Sequence, residues 1–231
     1  MNSPPPTNPA GLAAIAHAAV EMIQDGFVVG LGSGRAATTF VETLGKRVAQ
    51  GLHIRGIPTS QSTAVLAAHC AIPLTTLDAV DSIDITVDGA DEVDPQLDLI
   101  KGWGGALVRE KIVAAASKRL VIVVGLEKVV PALGSRGKLP VEVVPFGLSH
   151  CRRRLAELGL NPVIREAAGV SFVTDNGNHI LDCKISRISN PAELDAQLCS
   201  IPGVVGTGLF IGMADTVLIQ EGEQVRVQRR P

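Results

Sequence analysis

The hydrophobic positions of this chain change period part-way along it, and that change separates two kinds of architecture. Phe27-Val-Val-Gly30 is a short apolar run that ends in glycine and predicts a strand. Phe40, Leu44 and Val48 then recur at helical spacing, with Val41 widening the apolar face. Leu52 and Ile54 alternate before a turn at Pro58-Thr59-Ser60, and a second helical stretch follows from Ser62. Ile83, Ile85 and Val87 alternate up to Asp88, and Leu120-Val-Ile-Val-Val124 reads as a strand buried on both faces. Short β-branched runs alternating with helical patterns predict an α/β architecture, an open and mostly parallel Rossmann-like sheet with covering helices.

After about Pro131 the pattern differs. Pro140-Val-Glu-Val-Val-Pro145 predicts a strand, Cys151 to Leu158 a helix, and Phe172 to Asp182 a hairpin turning at Asn176-Gly177. Asn190, Pro191 and Glu193 supply the cap, the first-turn proline and the capping-box acid of a further helix. Strand, helix, hairpin, helix and strand make an α+β unit, expected as a smaller lid domain over 131–205. Ile211 to Gln220 is apolar enough to return to the first sheet. The α/β catalytic domain is thus expected over 11–130 plus 206–231, behind a proline-rich, disordered N-terminus at 1–10.

Composition excludes several partners. Lys and Arg number 21 against 23 acidic residues, so neither a nucleic-acid surface nor an acidic tail is implied. The basic run Arg152-Arg153-Arg154 lies on a helix whose Leu155 and Leu158 face inward, which makes it a solvated face. With no Tyr and one Trp, the chain has no base-stacking platform. Gly11 to Val20 lacks a positive segment before it and runs into Glu21, against a signal peptide, and no stretch is suited to spanning a bilayer. Cys70, Cys151, Cys183 and Cys199 form no Cys-x-x-Cys pair, which predicts reduced and mostly buried thiols. The histidines show no metal-ligand spacing. A cytoplasmic protein without a structural metal is expected.

Three segments carry chemistry. Gly30-Leu-Gly-Ser-Gly-Arg-Ala-Ala37 joins the first strand to a helix, where α/β folds bind phosphate. A dinucleotide fingerprint fails because Arg35 stands where its third glycine belongs and Gly56-Ile57-Pro58 offers no carboxylate at the next strand end. A Walker lysine is absent as well. A small anion site is favoured over a plain tight turn. Asp88-Gly-Ala-Asp-Glu92 closes the alternating strand and brings Asp88 and Asp91 to the C-terminal edge of the sheet, unless the segment is a capped turn with solvated acids. Lys101-Gly-Trp-Gly-Gly105 is a flexible turn before a helix that carries Glu110 near its start, so a lysine, free backbone amides and a carboxylate fall close in sequence. Proton transfer on a small phosphorylated substrate needs those parts, although Glu110 and Lys111 also suit an ordinary first helical turn.

Asp88-Gly-Ala-Asp-Glu92, the Lys101 glycine turn and Arg109-Glu-Lys111 resemble the signatures of the type A ribose-5-phosphate isomerase family. The resemblance extends to Leu139-Pro-Val-Glu-Val-Val-Pro145, to Val173-Thr-Asp-Asn-Gly-Asn178, and to Ile201-Pro-Gly-Val-Val205 with Gly208-Leu-Phe-Ile-Gly212, and it covers roughly residues 11 to 222. It implies an aldose–ketose isomerisation of ribose 5-phosphate and ribulose 5-phosphate through an enediolate, in the non-oxidative pentose phosphate pathway. Glu110 matches the family's proton-transferring base. Asp88, Asp91 and Lys101 match residues that hold the reacting oxygens and assist ring opening. The loop Gly32, Ser33, Gly34, Arg35 and Ala36 matches the phosphate side. Gly89, Ala90, Gly102, Trp103, Gly104 and Lys128 match further substrate-binding positions. The resemblance also implies no cofactor or metal, a small-molecule sugar phosphate rather than nucleic acid or membrane as partner, a ferredoxin-like lid, and a homodimer or homotetramer. A base near a helix N-terminus with a lysine close by is expected to stay ionised at neutral pH.

The chain departs from the family pattern at three places. Arg35-Ala36 replaces a Ser-Thr pair, the first helix carries no lysine, and Trp103 replaces a glycine. Arg35 is either a bidentate phosphate ligand or a solvated side chain. Trp103 either stacks on the substrate or packs against the lid. An isomerase for another sugar phosphate and a non-catalytic sugar-phosphate sensor are the remaining alternatives; the residues before Gly26 are too few for the DNA-binding module expected of a sensor.

Overall fold

The computed structural model of the chain describes residues 9–230. The expected disorder at 1–10 falls on 1–8 outside the described residues, while residues 9 and 10 open a helix. In chain order the first elements are α1 (Pro9–Val20), β1 (Val28–Leu31), α2 (Arg35–Ala49), β2 (Arg55–Pro58), α3 (Gln61–His69) and β3 (Ile85–Asp88). Two short strands, β4 (Glu92–Val93) and β5 (Leu99–Ile100), precede α4 (Leu107–Ala115) and β6 (Leu120–Gly125). Then come β7 (Lys138–Val143), α5 (Leu148–Glu157), β8 (Pro162–Ile164), β9 (Glu166–Ala167), β10 (Val170–Ser171) and β11 (His179–Lys184). The chain closes with α6 (Pro191–Cys199), β12 (Val204–Thr207), β13 (Leu209–Phe210), β14 (Thr216–Glu221) and β15 (Gln224–Arg229).

The described residues form two compact units, one of 9–90, 109–129 and 212–230 and the other of 91–108 and 130–211. The expected boundaries and these units part at 91–108 and 206–211, because β4, β5 and β13 pair with one another in the second unit. No pattern signal marks strands of two residues.

The first unit is built on a six-stranded sheet in the order β15-β14-β6-β3-β1-β2, parallel except for the edge strand β15. Its strands β1, β3 and β6 are buried on both faces, as the continuous apolar runs require. Val29, Leu31, Ile85, Val87, Val121 and Val123 point to a core that Ile15 of α1, Phe40 and Leu44 of α2, and Ala67 of α3 complete. Val28, Ile57 and Ile83 point the other way and meet Val113 of α4. Helices on both faces of a parallel sheet make the doubly wound, Rossmann-like arrangement.

The second unit contains the run β7-α5-β8-β11-α6-β12, with an antiparallel sheet in the order β12-β7-β11-β8. That is the ferredoxin-like split βαβ arrangement. Its core joins Leu139, Val141, Val143, Leu181 and Cys183 to Cys151 and Leu155 of α5 and Leu198 of α6. The expected hairpin from Phe172 to Asp182 is corrected. The turn at Asn176-Gly177 forms, closed by Thr174 N–H to Asn178 O at 2.9 Å, but its first arm does not pair with β11. A tight β9–β10 hairpin forms instead around Ala168 and Gly169, and β11 takes β7 and β8 as neighbours. Fully buried Glu142 on β7 supplies the reason: its Oε1 accepts from Thr174 Oγ1 at 3.0 Å, Asn176 Nδ2 at 3.1 Å and Asn178 Nδ2 at 2.9 Å. A carboxylate distant in sequence, rather than a strand ladder, organises the loop.

Candidate active site

In the first unit, β1, β2, β3 and β6 run parallel and end on one edge of the sheet. The chain leaves β1 on one side to form β2 and returns on the other side to form β3, so the topological switch lies between β1 and β3. Ligands bind such sheets outside the carboxyl ends of the strands at the switch. The register there pairs Leu31 with Val87, which sets Gly32 beside Asp88. Gly32 N–H donates to Val87 O at 3.0 Å. A Cβ on Gly32 would stand 2.3 Å from Asp88 Oδ1 and 2.5 Å from Asp88 Cα, so only glycine fits. Asp88, buried, accepts through Oδ1 from Ser33 N–H at 3.0 Å and Gly89 N–H at 2.7 Å.

The Ser33 hydroxyl joins a cluster with Thr59 Oγ1 at 2.8 Å and Ser60 Oγ at 2.9 Å. Thr59 and Thr63 in turn donate to the carbonyls of Leu31 and Gly32, each at 3.0 Å. The loop is therefore stitched to the residues that follow β2. Gly34, at φ 88°, caps α2 with no side-chain hydrogen bond, so no capping side chain occupies the amides of its first turn. Together with the helix dipole, such amides receive anions. Exposed Arg35 opens that helix, and Ala36 packs against the core. Gly89 and Ala90 are half-buried. Lys128 ends a 3-10 turn, Leu126–Lys128, directly after β6 on the same sheet edge. Glu110 stands in the first turn of α4 and is only 5% exposed.

In the second unit, β4 and β5 pair Glu92 with Ile100, which places Asp91 opposite Lys101. Asp91 N–H donates to Ile100 O and Lys101 N–H to Gly208 O, both at 2.8 Å. The chain then turns through Gly102 and Gly105, at φ 96° and 94°, conformations that favour glycine. Asp91 Oδ2 accepts Trp103 N–H at 2.9 Å, which ties the turn back to the carboxylate. Lys101 is 3% exposed, with Nζ 5.5 Å from the ring centroid of Phe210. The Trp103 indole packs within this unit: Nε1 donates to Lys138 O at 3.3 Å, and the Arg136 and Lys138 cations lie 5.1 and 4.8 Å from the ring. Gly104 is exposed. Beside Asp91, fully buried Glu92 accepts from the N–H groups of Gly134 and Arg136, each at 2.6 Å. Burial pushes the Glu92 carboxyl above the usual range, with those backbone donors opposing it.

Buried carboxylates and a buried lysine are costly unless the fold uses them. Glu110, Asp88 and Lys101 are that kind of group, suited to moving a proton and holding oxygens that develop charge. Among the described residues, no three or more His, Cys, Asp or Glu side chains gather as metal ligands. Sequence reasoning did not single out Arg165, whose guanidinium donates to the carbonyls of Gly102 and Trp103 at 3.0 and 3.1 Å. Its place just past a short strand carries no motif.

Fold and site together define a two-unit α/β protein with an anion-receptive helix N-terminus and a buried carboxylate at the switch point of its Rossmann-like sheet. The family model for ribose 5-phosphate isomerase A (phosphoriboisomerase A) matches residues 55–224, more than half of the chain. Curated ribose-5-phosphate isomerase A sequences are similar throughout. That of Bradyrhizobium diazoefficiens is 51% identical over 223 residues, covering 92% of each chain, and that of Gloeobacter violaceus 51% over 213 residues, covering 92% and 93%. The solved ribose 5-phosphate isomerase of Methanocaldococcus jannaschii superposes with a TM-score of 0.92 at 39% identity, over 96% of this chain and 100% of its own. A second solved D-ribose-5-phosphate isomerase, in complex with phospho-erythronic acid, gives 0.91 at 37% identity, over 96% and 98%. The chain belongs to the ribose 5-phosphate isomerase A family.

Proposed function

We propose that Glu110, Asp88, Asp91 and Lys101 carry the interconversion of D-ribose 5-phosphate and D-ribulose 5-phosphate that goes with membership of this family. The observation that carries the reading is the burial of Glu110, Asp88 and Lys101 on the motifs that the resemblance selects. Glu110 takes the C2 proton of the open-chain aldose. The C–H electron pair becomes the C1–C2 double bond, and the carbonyl pair moves onto the C1 oxygen. Glu110 then returns the proton to C1, while the C2 hydroxyl proton passes to the former carbonyl oxygen, giving the ketose with no net gain or loss of electrons. Lys101, a point charge in a dry setting, offsets the enediolate charge, a contribution on the order of several kcal/mol for groups in this role. Asp88 and Asp91 hold substrate hydroxyls and assist ring opening.

The phosphate falls to Gly32, Ser33 and Gly34 with the first-turn amides of α2, to Arg35 in place of the missing hydroxyls, and to Lys128. A solved relative in complex with phospho-erythronic acid supports a phosphorylated acid as the kind of ligand these groups suit. Gly89, Ala90, Gly102 and Gly104 supply backbone to the substrate. Trp103 serves by packing on Lys138 and tying its N–H to Asp91. The reading extends to a cytoplasmic homodimer or homotetramer. Among the described residues, no helix is long and apolar enough to cross a membrane.

The test follows ribulose 5-phosphate formation in excess EDTA by the wild-type protein and by Glu110→Gln. The wild type is expected to turn over unimpaired by EDTA, and the variant to lose about 10³-fold or more in kcat with its circular dichroism unchanged. A variant within about tenfold of wild type would remove Glu110 from the base role.

A further inference from the structure

Lys101 and Trp103 border a glycine turn that is tied to Asp91, a poor scaffold for groups that must be held to a fraction of an ångström, and the second unit contains a device that stiffens it. Arg165 follows β8, with its N–H on Ile180 O at 2.8 Å. Its side chain is 10% exposed and uses its whole fork. Nε donates to Asp182 Oδ2 at 2.9 Å and Nη2 to Asp182 Oδ1 at 2.5 Å, a bidentate pair across neighbouring strands. Nη1 is left to donate to the carbonyls of both Gly102 and Trp103. Phe172 lies 5.9 Å from the guanidinium, and its ring would stand 2.6 Å from a Cβ placed on Gly105, so it closes over the same turn.

The geometry points to Arg165, oriented by Asp182, as a positioning residue for Asp91 and Lys101. The peptide group between Gly102 and Trp103 is the connecting part. Its carbonyl accepts from Arg165 and its N–H donates to Asp91 Oδ2. Because a peptide group is planar, fixing its carbonyl fixes the direction of its N–H, and the Asp91 carboxylate follows. The same peptide begins one residue after Lys101, whose own N–H is held by Gly208 O. Lysine at 165 could not replace this fork, since one ammonium on a flexible stem cannot hold a carboxylate bidentately and two carbonyls together. A displacement of about 1 Å at a catalytic group costs about 10²-fold in rate.

This inference rests on the reading of Asp91 and Lys101 as substrate-contacting groups, and a double-mutant cycle separates the two. Arg165→Lys and Asp91→Asn are made singly and together, with Arg165→Met as a second probe, and kcat, KM and thermal unfolding are measured for each. Arg165→Lys is expected to keep the fold and the wild-type KM within about threefold while losing on the order of tenfold in kcat, and Arg165→Met on the order of 10²-fold. In the Asp91→Asn background the Arg165→Lys loss is expected to shrink to about threefold or less, because of the two groups it positions only Lys101 remains. A purely structural arginine would lower the unfolding temperature equally in both backgrounds and multiply through kcat independently, and that result overturns the inference. An unimpaired Arg165→Lys, or one that unfolds where Arg165→Met does not, overturns it as well. Full activity in Asp91→Asn alone would instead sink the underlying reading of the site.

Discussion

A methyl group at position 32 has nowhere to go. Asp88 occupies the space with both its carboxylate and its Cα, and the Cα belongs to a buried strand that cannot yield cheaply. Gly32→Ala is therefore expected to push Asp88 out of register with Ser33 and Gly89. Steady-state kinetics should show a loss of about 10²-fold in kcat/KM, and urea unfolding a cost of about 1–3 kcal/mol. An alanine variant with wild-type kinetics would show that Asp88 needs no such fixed position. The sequence named both residues as candidates, yet it could not set them side by side, since only the β1–β3 register does that. Trp103 shows the same limit. The sequence leaves open whether its indole stacks on substrate or packs, and in the structure it lies against the carbonyl of Lys138 with two cations near the ring.

At the scale of elements, the start of α6 is set by residues adjacent in sequence. Asn190 Oδ1 accepts Glu193 N–H at 3.3 Å and Asn190 Nδ2 donates to Glu193 Oε2 at 3.0 Å, with Pro191 opening α6 as the spacing required. Asn190→Ala should cost about 1 kcal/mol, seen as a lower urea midpoint with an unchanged slope. Isomerase activity below the transition should stay at wild-type level, and a large kinetic effect would mean that α6 does more than support the second unit. The hairpin expected at Phe172 to Asp182 shows where local reading stops. Its turn chemistry was correct, but Glu142 competes for Thr174, Asn176 and Asn178 from a strand far away in sequence. The two-residue strands β4, β5 and β13 are too short for any period to show, although they align Asp91 with Lys101.

Over the whole molecule, the cysteines report on the cores. Cys151 and Cys183 are buried, Cys70 is half-buried and Cys199 exposed, all four as free thiols. Burial pushes the Cys183 thiol up to about 12, with the neighbouring Asp182 adding to the shift. Below pH 9, the ordinary value, folded and unfolded chains both keep this proton and the group is neutral to stability. Above it the unfolded chain releases the proton while the folded chain retains it until about pH 12, so stability falls across that window. Chemical denaturation between pH 8 and about pH 11 should show the decline, and Cys183→Ala should flatten it. A thiol reagent at neutral pH should label Cys199 first and leave Cys183 untouched until unfolding. Rapid native labelling of Cys183 would contradict a closed second core.

The sequence by itself determined the family resemblance, the α/β and α+β classes of the two units, and the chemical kinds of group available. Those rest on periodicity, cap chemistry and short motifs, each of which acts within a few residues along the chain. Tertiary structure alone decided which groups share a hydrogen bond: Asp88 with the Ser33 loop, Asp91 with Trp103, and Arg165 with the glycine turn. Strand register and buried polar partners far apart in sequence set those pairings, because a buried donor or acceptor must find a partner wherever the fold supplies one.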